Sequence, residues 1–386
     1  PTPEHRALRE LVRSFTEREV DPQAEAADHA ERFNIELFRK LGELGLLGVT
    51  VEERFGGSGL DPIAAVIVHE ELSSADPAFA LSYLAHSMLF ANNLQVNGND
   101  AQRSKYLPDA CSGQKVCGMC MSEPAAGTDV LGMQTTASKR GDKYVLNGAK
   151  MWITNGAISD TELGDTFLVY ARIEGQPRTQ LSMFIVEKGF SGFSLGQKIK
   201  GKLGMRASTT AELVFEDCAV PEENLVGNEG TATICMMRNL EIERVTLAAM
   251  SLGIARRSIE VMNRYASERI SFGKPLRDFG QIQRYIAQSY AEFMAGRAYT
   301  YYTAAAMKLD EPGHRLDSDG VKLFTSTMAK DIADRAIQVL GGYGYVAEYA
   351  VERLWRDAKL LEIGGGTLEA HQKNMCRELQ RVERIL

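Results

Sequence analysis

One carboxylate in this sequence occurs in a pattern typical of a general base. The segment from Met236 to Glu268 has the periodicity of a helix, and Glu243 shares one face of that helix with apolar residues. A carboxylate on an apolar face loses hydration, which raises its pKa and suits it to accept a proton at neutral pH. A buried ion pair with an arginine such as Arg244 is the alternative. The apolar residues on this face are Leu240, Leu247, Met250, Ile254 and Val261.

A run of three glycines near the C-terminus is a second candidate site. Gly364, Gly365 and Gly366 precede Thr367 and lie between two segments that are predicted to be helical. Because glycine has no side chain, a ligand can approach the backbone of such a run closely. The pattern therefore indicates a loop that binds a ligand through its backbone.

A third group of residues suits a flat aromatic ligand. Trp152 is followed by Thr154 and Asn155 at the end of a strand-like run, and Ser122 lies in a second polar segment that extends to Asp129. The tryptophan could pack on a planar ring, and the hydroxyls of Ser122 and Thr154 could reach heteroatoms on its edge. A strand-end tryptophan that packs into the core explains the same pattern.

Two glycines after a helix form a fourth and weaker pattern. Gly341 and Gly342 follow a helical segment that ends near Leu340. Backbone N–H groups at such a position can approach a phosphate closely. A Gly-Gly pair also simply ends helices, so this pattern alone does not decide between the two.

The composition argues against several classes of protein. Of the 386 residues, 44% are hydrophobic and 25% are charged, which is ordinary for a globular protein. A net charge of −7 offers no basic surface to nucleic acid. No apolar run approaches the roughly 18 residues needed to span a bilayer, so no membrane association is expected. The first residues, Pro1 to His5, lack the pattern of a signal peptide, and we expect a cytoplasmic protein.

The six cysteines do not form a disulfide framework. Cys117 and Cys120 have the spacing of a redox motif, but they lie in a strand-like run. Residues three apart on a strand point to opposite faces, so a bridge between them is geometrically poor. No second pair or histidine cluster completes a metal site, and none is expected.

The elements that must position these residues change period along the chain. Apolar residues three and four apart predict helices within Phe33–Leu47, Ala64–Leu72 and Ala80–Phe90. Strand-like runs follow, and helical segments return after about Ala232, at 236–268, 281–308 and 317–340. The fold class is therefore α+β multidomain: an N-terminal helical domain (1–115), a middle β-barrel or β-sandwich domain (116–231) and a C-terminal helical bundle (232–386).

One turn within the β domain has a strong signal. Asn147-Gly148 separates two strand-like runs, Lys143–Leu146 and Ala149–Ile153. Because this dipeptide favours the turns that join two antiparallel strands, we predict a tight hairpin there. Further strands are predicted at Thr166–Ile173, Gln180–Val186 and Ala211–Phe215.

Together these segments resemble the acyl-CoA dehydrogenase family of flavoenzymes, from about Glu10 to Glu378. The resemblance implies an enzyme that uses FAD, acts on an acyl-CoA thioester, forms a homotetramer and passes electrons to an electron-transfer flavoprotein. Its most specific motifs are Ser122–Asp129, Trp152–Gly156, Phe215–Pro221, Arg269–Gly273 and Gly341–Gly342 followed by Arg356–Lys359.

The resemblance implies contacts at both ends of FAD. The isoalloxazine ring is expected to contact Met119, Met121, Ser122, Gly127, Thr128, Trp152, Ile153 and Thr154. The adenine dinucleotide end is expected to contact, from a neighbouring subunit, Arg269, Ser271, Phe272, Gln338, Gly341 and Gly342. Thr367 and Glu369 match another contact. Gly280 is a departure, since many members have a cofactor-contacting glutamine there.

Most of the family has its catalytic glutamate at the position that matches Gly365, where this chain has no side chain. In the subgroup that the sequence resembles most, the isovaleryl-CoA dehydrogenase-like enzymes, the base lies in the segment that matches 241–244. This agrees with the helical position of Glu243, which we predict as the base. The backbone N–H of Gly365 is expected to donate to the thioester carbonyl. Further substrate contacts are expected at Thr128, Glu241, Arg244, Gly364, Gly365 and Gly366.

The implied reaction is α,β-dehydrogenation, in which Glu243 takes the α-proton and the β-hydrogen leaves as hydride to the flavin, giving a trans-2-enoyl-CoA. The absent side chains at Gly364 and Gly365 are expected to free volume for a 3-methyl branch. Isovaleryl-CoA and a longer isoprenoid such as citronellyl-CoA both fit this expectation. The alternatives are a straight medium- or long-chain acyl-CoA dehydrogenase, an oxidase that uses oxygen, and an acyl-CoA-binding protein without catalysis.

Overall fold

The computed structural model describes residues 2–381. Residue 1 and residues 382–386, at the outer limits of the predicted first and third domains, lie outside the described range. Over the described residues, two helical regions flank a central β region, which confirms the predicted fold class. Across these residues no helix is long and apolar enough to cross a membrane.

The N-terminal region is made of helices whose start points are set by short polar caps. Asn34 caps the helix that begins at Ile35, since its side chain accepts from the Leu37 N–H. Asp61 caps the helix that begins at Pro62 by accepting from the Ala64 N–H. π-helical turns follow α1 and α5, at Thr16–Val20 and Ala85–Asn92. The helices are α1 Pro3–Phe15, α2 Asp21–His29, α3 Ile35–Glu43, α4 Pro62–Ser73, α5 Pro77–Leu84, α6 Asn93–Asn97 and α7 Asp100–Cys111.

The central region forms one eight-stranded sheet in the order β6-β7-β3-β2-β4-β5-β8, with β1 paired to β4. The pairs β1–β4 and β2–β4 are parallel, and the other pairs are antiparallel. Cys117 and Cys120 are free, buried thiols on β1. The strands are β1 Cys117–Cys120, β2 Thr136–Arg140, β3 Lys143–Thr154, β4 Thr166–Ile173, β5 Leu181–Glu187, β6 Phe193–Lys198, β7 Thr210–Pro221 and β8 Leu225–Val226.

The predicted hairpin at Asn147-Gly148 is wrong. Both residues lie inside the single strand β3, which pairs with β2 on one side and β7 on the other. The register against β7 shifts between Leu146 and Gly148, where Glu216 and Asp217 of β7 lie opposite Asn147 alone, so the extra residue of the bulge is on β7. Gly148 has φ +147°, and a Cβ there would lie 2.6 Å from the Thr135 hydroxyl. Gly148 therefore lies opposite a bulge of the neighbouring strand and permits a close approach to Thr135, and it does not reverse the chain.

The C-terminal region consists of long helices around α8. α8 packs against α4 from the first region and against α9, α10 and α11 of its own region. A small hairpin, β9 with β10, lies between α8 and α9. The elements are α8 Ala232–Glu268, β9 Ile270–Ser271, β10 Lys274–Pro275, α9 Gly280–Ala306, α10 Arg315–Leu340, α11 Val351–Leu361 and α12 Leu368–Leu379.

The prediction that α8 buries a single apolar face understates how much of this helix is buried. Every residue from Asn239 to Ala255 is buried, because other helices cover α8 on all sides. Val261, which we predicted on the apolar face, is only partly buried. The expectation that Glu243 is buried is correct. The cause of its burial is the packing of neighbouring helices around the whole of α8, and not a location on one apolar face of that helix.

Candidate active site

Glu243 lies in the middle of α8 and is 7% exposed. Burial raises its pKa to about 7, against the opposing effect of the positive charges of Arg244 and Lys322. Within the described part of the chain, its Oε2 atom has no hydrogen-bond partner. A buried, unpaired carboxylate that titrates near neutrality is suited to accept a proton from a bound substrate.

Arg244 does not form the structural ion pair that was the alternative role for Glu243. Its guanidinium lies 3.1 Å from Oδ1 of Asp319 on α10. Glu241, predicted to contact CoA, accepts from the backbone N–H of His314 at 3.1 Å, immediately before α10. Both side chains are buried in the contact between α8 and α10, and their predicted CoA contacts stay predictions.

The glycine run forms the turn between α11 and α12, and it lies directly against Glu243. Gly365 and Gly366 have φ values of +66° and +103°, which glycine adopts without strain. A Cβ on Gly365 would lie 3.3 Å from Oε1 of Glu243. Among the described residues no acceptor takes the Gly365 N–H. The turn therefore presents a free backbone donor beside the candidate base.

The space at the two predicted glycine positions differs. At Gly365 a Cβ would come within 2.2 Å of Leu247 Cδ1, so this volume is occupied by the side chains of α8. At Gly364 a Cβ would meet only Leu360, at 3.6 to 3.8 Å, which is ordinary van der Waals contact. The expectation that both positions free volume is therefore wrong for Gly365, whereas Gly364 leaves room for one carbon atom.

Three buried residues near this turn were not predicted from the sequence. Lys322 and Asp319 lie on α10 and His371 lies on α12, and all three are fully buried. The Lys322 ammonium donates to the Gly366 carbonyl at 2.6 Å. Charged residues on a long helix are normally solvated, so neither their type nor their spacing signals this arrangement.

The residues predicted at the isoalloxazine ring come from two segments that the structure brings together. The Met151 N–H donates to the Ser122 carbonyl at 2.9 Å, which joins β3 to the loop after β1. A fully buried ion pair, Lys150 with Glu123 at 2.8 Å, fixes the same junction. Met119 and Met121 pack in one apolar cluster with Leu240 from α8. This places the junction next to the helix that carries Glu243.

Trp152 has an unusual conformation for a large apolar residue. Its side chain is 61% exposed, and its backbone has φ +66° in the left-handed region. The register between β3 and β7 shifts from Lys150 to Ile153, which takes Trp152 out of the regular ladder. An exposed aromatic ring on a strained backbone is typical of a binding site, and it contradicts a tryptophan packed into the core.

The other residues of this set have varied settings. Ile153 is packed in the core of the sheet, so only its backbone could contact a ligand. Thr154 is partly buried at the end of β3, and Gly127 and Thr128 are exposed in the loop after β1. Thr367 caps α12 by accepting from the Ala370 N–H. Glu369 is exposed on the first turn of α12, and its ligand contact stays a prediction.

A second set of predicted residues lines a separate crevice of about 460 Å³. Arg269, Ser271, Gly341 and Gly342 border it, at the C-terminal ends of α8 and α10. Phe272 forms the tip of the β9–β10 hairpin with φ +50° and is 94% exposed. Gln338 is exposed on the last turn of α10, beside the crevice. No residue predicted at the isoalloxazine ring borders it, so the two sets do not meet within one described chain.

Comparison with known proteins finds relatives that match this chain over nearly its full length. Family models of the acyl-CoA dehydrogenase N-terminal, middle and C-terminal domains match residues 2–114, 118–218 and 229–380. A mitochondrial isovaleryl-CoA dehydrogenase of Arabidopsis thaliana is 42% identical over 97% of this chain and 91% of the relative. The butyryl-CoA dehydrogenase of Megasphaera elsdenii has a TM-score of 0.93 at 34% identity, with 99% of each chain covered. An acyl-CoA dehydrogenase of Bacillus anthracis, solved with FAD, has a TM-score of 0.91 at 33% identity, with 99% of this chain and 67% of that chain covered.

Proposed function

This chain belongs to the acyl-CoA dehydrogenase family, and we propose that it oxidises a 3-methyl-branched acyl-CoA to the trans-2-enoyl-CoA with Glu243 as the base. It is an oxidoreductase of that family with FAD as its cofactor. The observation that carries the proposed chemistry is the contact between a buried carboxylate of raised pKa and a turn with a free backbone N–H.

The residues of the chain fit FAD. The exposed Trp152 ring suits a planar partner, and the partly buried Ser122 and Thr154 hydroxyls lie on the two joined segments beside it. The crevice beside Arg269 and Gly341 offers a cation and backbone N–H groups, which suit a diphosphate. When bound, FAD supplies the acceptor for the β-hydrogen as hydride.

The residues around the glycine turn supply the acid–base part of the reaction. The Gly365 N–H donates to the thioester carbonyl, which stabilises the negative charge that develops on that oxygen when the α-proton leaves. Glu243 accepts this proton and becomes neutral, which its buried setting favours. Burial of the Glu243 carboxylate and the hydrogen bond to the thioester carbonyl therefore both favour transfer of the α-proton to Glu243.

The proposed preference for a branched acyl group depends on Gly364. A Cβ at this position would contact only Leu360, at ordinary van der Waals distance, so the absent side chain leaves room for a substrate methyl group to approach the backbone. The identity to an isovaleryl-CoA dehydrogenase supports this preference, whereas the likeness to a butyryl-CoA dehydrogenase supports the alternative of a straight short-chain substrate.

Gly364→Ala is expected to reduce the preference for isovaleryl-CoA over butyryl-CoA by roughly ten-fold, because one methyl group in an apolar site changes discrimination by about that factor. The ratio of the two kcat/KM values is the measurement. Gly364 does not have a left-handed backbone, so alanine adds volume without strain. Gly280→Ala, at a position with open space, is the matched control and should leave the ratio unchanged. An unchanged ratio in Gly364→Ala would place the branch elsewhere.

A screen of flavin bleaching without oxygen tests the function itself. Straight short, 3-methyl short and 3-methyl long acyl-CoA thioesters are mixed with the FAD-loaded protein, and the loss of flavin absorbance is followed. Bleaching should be fastest with a 3-methyl thioester. If no thioester bleaches the flavin, the protein binds acyl-CoA without catalysis; if oxygen is consumed with substrate alone, it acts as an oxidase.

We further propose a homotetramer whose subunits complete each other's cofactor site, with an electron-transfer flavoprotein as electron acceptor. Tyr290, Met294 and Tyr302 follow one another on α9 at spacings of four and then eight residues and are exposed, as is Phe324 on the adjacent α10. Such an apolar face suits a helix-to-helix contact with a second copy. The exposed Phe272 hairpin and the separate crevice support a shared site. Sedimentation analysis measures the assembly, and a monomer would contradict this proposal.

A further inference from the structure

The carbonyl of Gly366 is held by two side chains from different helices. Nζ of Lys322 on α10 donates to it at 2.6 Å, and Nε2 of His371 on α12 lies 2.9 Å from it. Both side chains are fully buried. A main-chain carbonyl in a glycine turn has no need of two buried donors to complete its hydrogen bonding, so the arrangement restrains the turn itself.

The histidine is tied into a longer chain of buried polar groups. Its Nδ1 atom faces Oδ1 of Asp319, and the same carboxylate oxygen lies 3.1 Å from Arg244, the residue after Glu243 on α8. Its two ring nitrogens face oxygen atoms, Nδ1 at Asp319 and Nε2 at the Gly366 carbonyl. Burial lowers the pKa of His371, although the Asp319 carboxylate opposes that effect. The hydrogen-bond geometry thus links the turn to α8 through α10.

The lysine also faces the candidate base. Burial lowers the pKa of Lys322 to about 7, and the Glu243 carboxylate is the main opposing influence. In return, the Lys322 charge lowers the pKa of Glu243. The other charged groups that face this pair are Arg244 on α8, Asp319 on α10 and Glu362 at the end of α11. Lys322 therefore affects both the position of the turn and the charge of the base.

We propose that Lys322 and His371 are positioning residues for the proton transfer. Their two hydrogen bonds hold the glycine turn against α8, so that the Gly365 N–H and the Glu243 carboxylate can both contact the same bound thioester. This inference rests on the proposed function, since it assigns the turn a role in that reaction. It adds an element of the site that the sequence pattern alone does not reveal.

Lys322→Met tests the inference because methionine keeps the length of the side chain and removes the donor and the charge. We expect kcat to fall roughly ten- to a hundred-fold with a smaller change in KM, since misplaced groups lose their effect mainly in the transition state. The acid limb of the rate profile should also move to higher pH, because loss of a positive neighbour raises the pKa of Glu243. Lys330→Met, on the same helix and paired with Asp331, is the matched control and should change neither quantity.

Hydrogen exchange followed by mass spectrometry provides a readout that does not depend on activity. Residues 362–371 should exchange faster in Lys322→Met and in His371→Gln than in the wild type and in Lys330→Met. If Lys322→Met does not fold, His371→Gln carries the test. Unchanged exchange in this segment together with an unshifted pH limb would overturn the inference. Failure of the wild type to bleach with any thioester would instead overturn the proposed function, while the exchange result still decides whether the turn is held.

Discussion

Glu243→Gln is expected to slow substrate-dependent flavin bleaching by roughly a thousand-fold. Glutamine keeps the size of the side chain but cannot accept the α-proton, and general-base catalysis contributes roughly a hundred- to ten-thousand-fold. Anaerobic stopped-flow absorbance with an excess of substrate measures this rate. In the wild type the rate should fall about ten-fold per pH unit below pH 7, because the base must be ionised and its pKa is about 7.

Glu260→Gln is the matched control for this substitution. Glu260 lies on the same helix, its side chain is 54% exposed, and it should bleach like the wild type. If Glu243→Gln also bleaches at the wild-type rate, another group takes the proton. Since the thioester carbonyl would still be held by the Gly365 N–H, substrate affinity should change much less than the rate.

Glu243→Gln should also increase the free energy of unfolding at high pH. Burial raises the pKa of Glu243 from 4.5 to about 7, so the folded state holds its proton more tightly than the unfolded state. The stability that this proton provides is complete below pH 4.5 and is lost as the pH rises through 7. The difference corresponds to about 3 kcal/mol. Urea unfolding at pH 8 should therefore show Glu243→Gln to be the more stable protein, with little difference at pH 5.

Glu71→Ala is expected to destabilise the protein by about 3 to 5 kcal/mol, the usual cost of removing one partner from a buried ion pair. The Glu71 carboxylate is buried on α4 and pairs with Arg256 on α8 at 2.7 Å and with Arg13 on α1 at 3.1 Å. Arg9 donates to the same carboxylate. The substitution removes the anion that the three guanidinium groups share, and of these the Arg9 and Arg256 side chains are largely buried. Urea unfolding at pH 7 measures the loss.

The pH dependence of stability checks the same cluster. Burial alone would raise the pKa of Glu71, but the hydrogen bonds and charges of Arg256, Arg13 and Arg9 outweigh it and lower the pKa to about 2. Stability from this group is present above pH 4.5 and is lost as the pH falls toward 2. Glu71→Ala should therefore lose this acid-dependent part of the stability. Glu25→Ala, at an exposed position on α2, should behave like the wild type; equal stability of Glu71→Ala and Glu25→Ala would contradict the prediction.

The sequence is sufficient for the order of the elements because their periodicity is local. The strand at Thr166–Ile173 is found at the predicted bounds, and the predicted helix 317–340 is found as Arg315–Leu340. The Asn147-Gly148 hairpin is not formed, because both residues continue β3 opposite a bulge in β7. Only the neighbouring strands β2 and β7, far from each other in sequence, distinguish these two outcomes.

For the candidate site, the sequence alone determined the residue types that chemistry needs: one carboxylate in an apolar helix, a glycine turn with bare backbone, and a tryptophan flanked by hydroxyls. These signals depend on side-chain chemistry and short-range spacing, and both can be read from a local segment without knowledge of the fold. The family followed from several such motifs in one order.

Only the tertiary structure decided how these parts meet. It places Glu243 beside Gly365, pairs Arg244 with Asp319, and fills the space at Gly365 with Leu247. It also buries Lys322 and His371 on the Gly366 carbonyl. Contacts of this kind join residues more than a hundred positions apart or on different helices, so their distances depend on how α8, α10 and α12 pack. The helical pattern predicted the direction of the Glu243 pKa shift, but its size, the free Gly365 N–H and the held turn are properties of that packing.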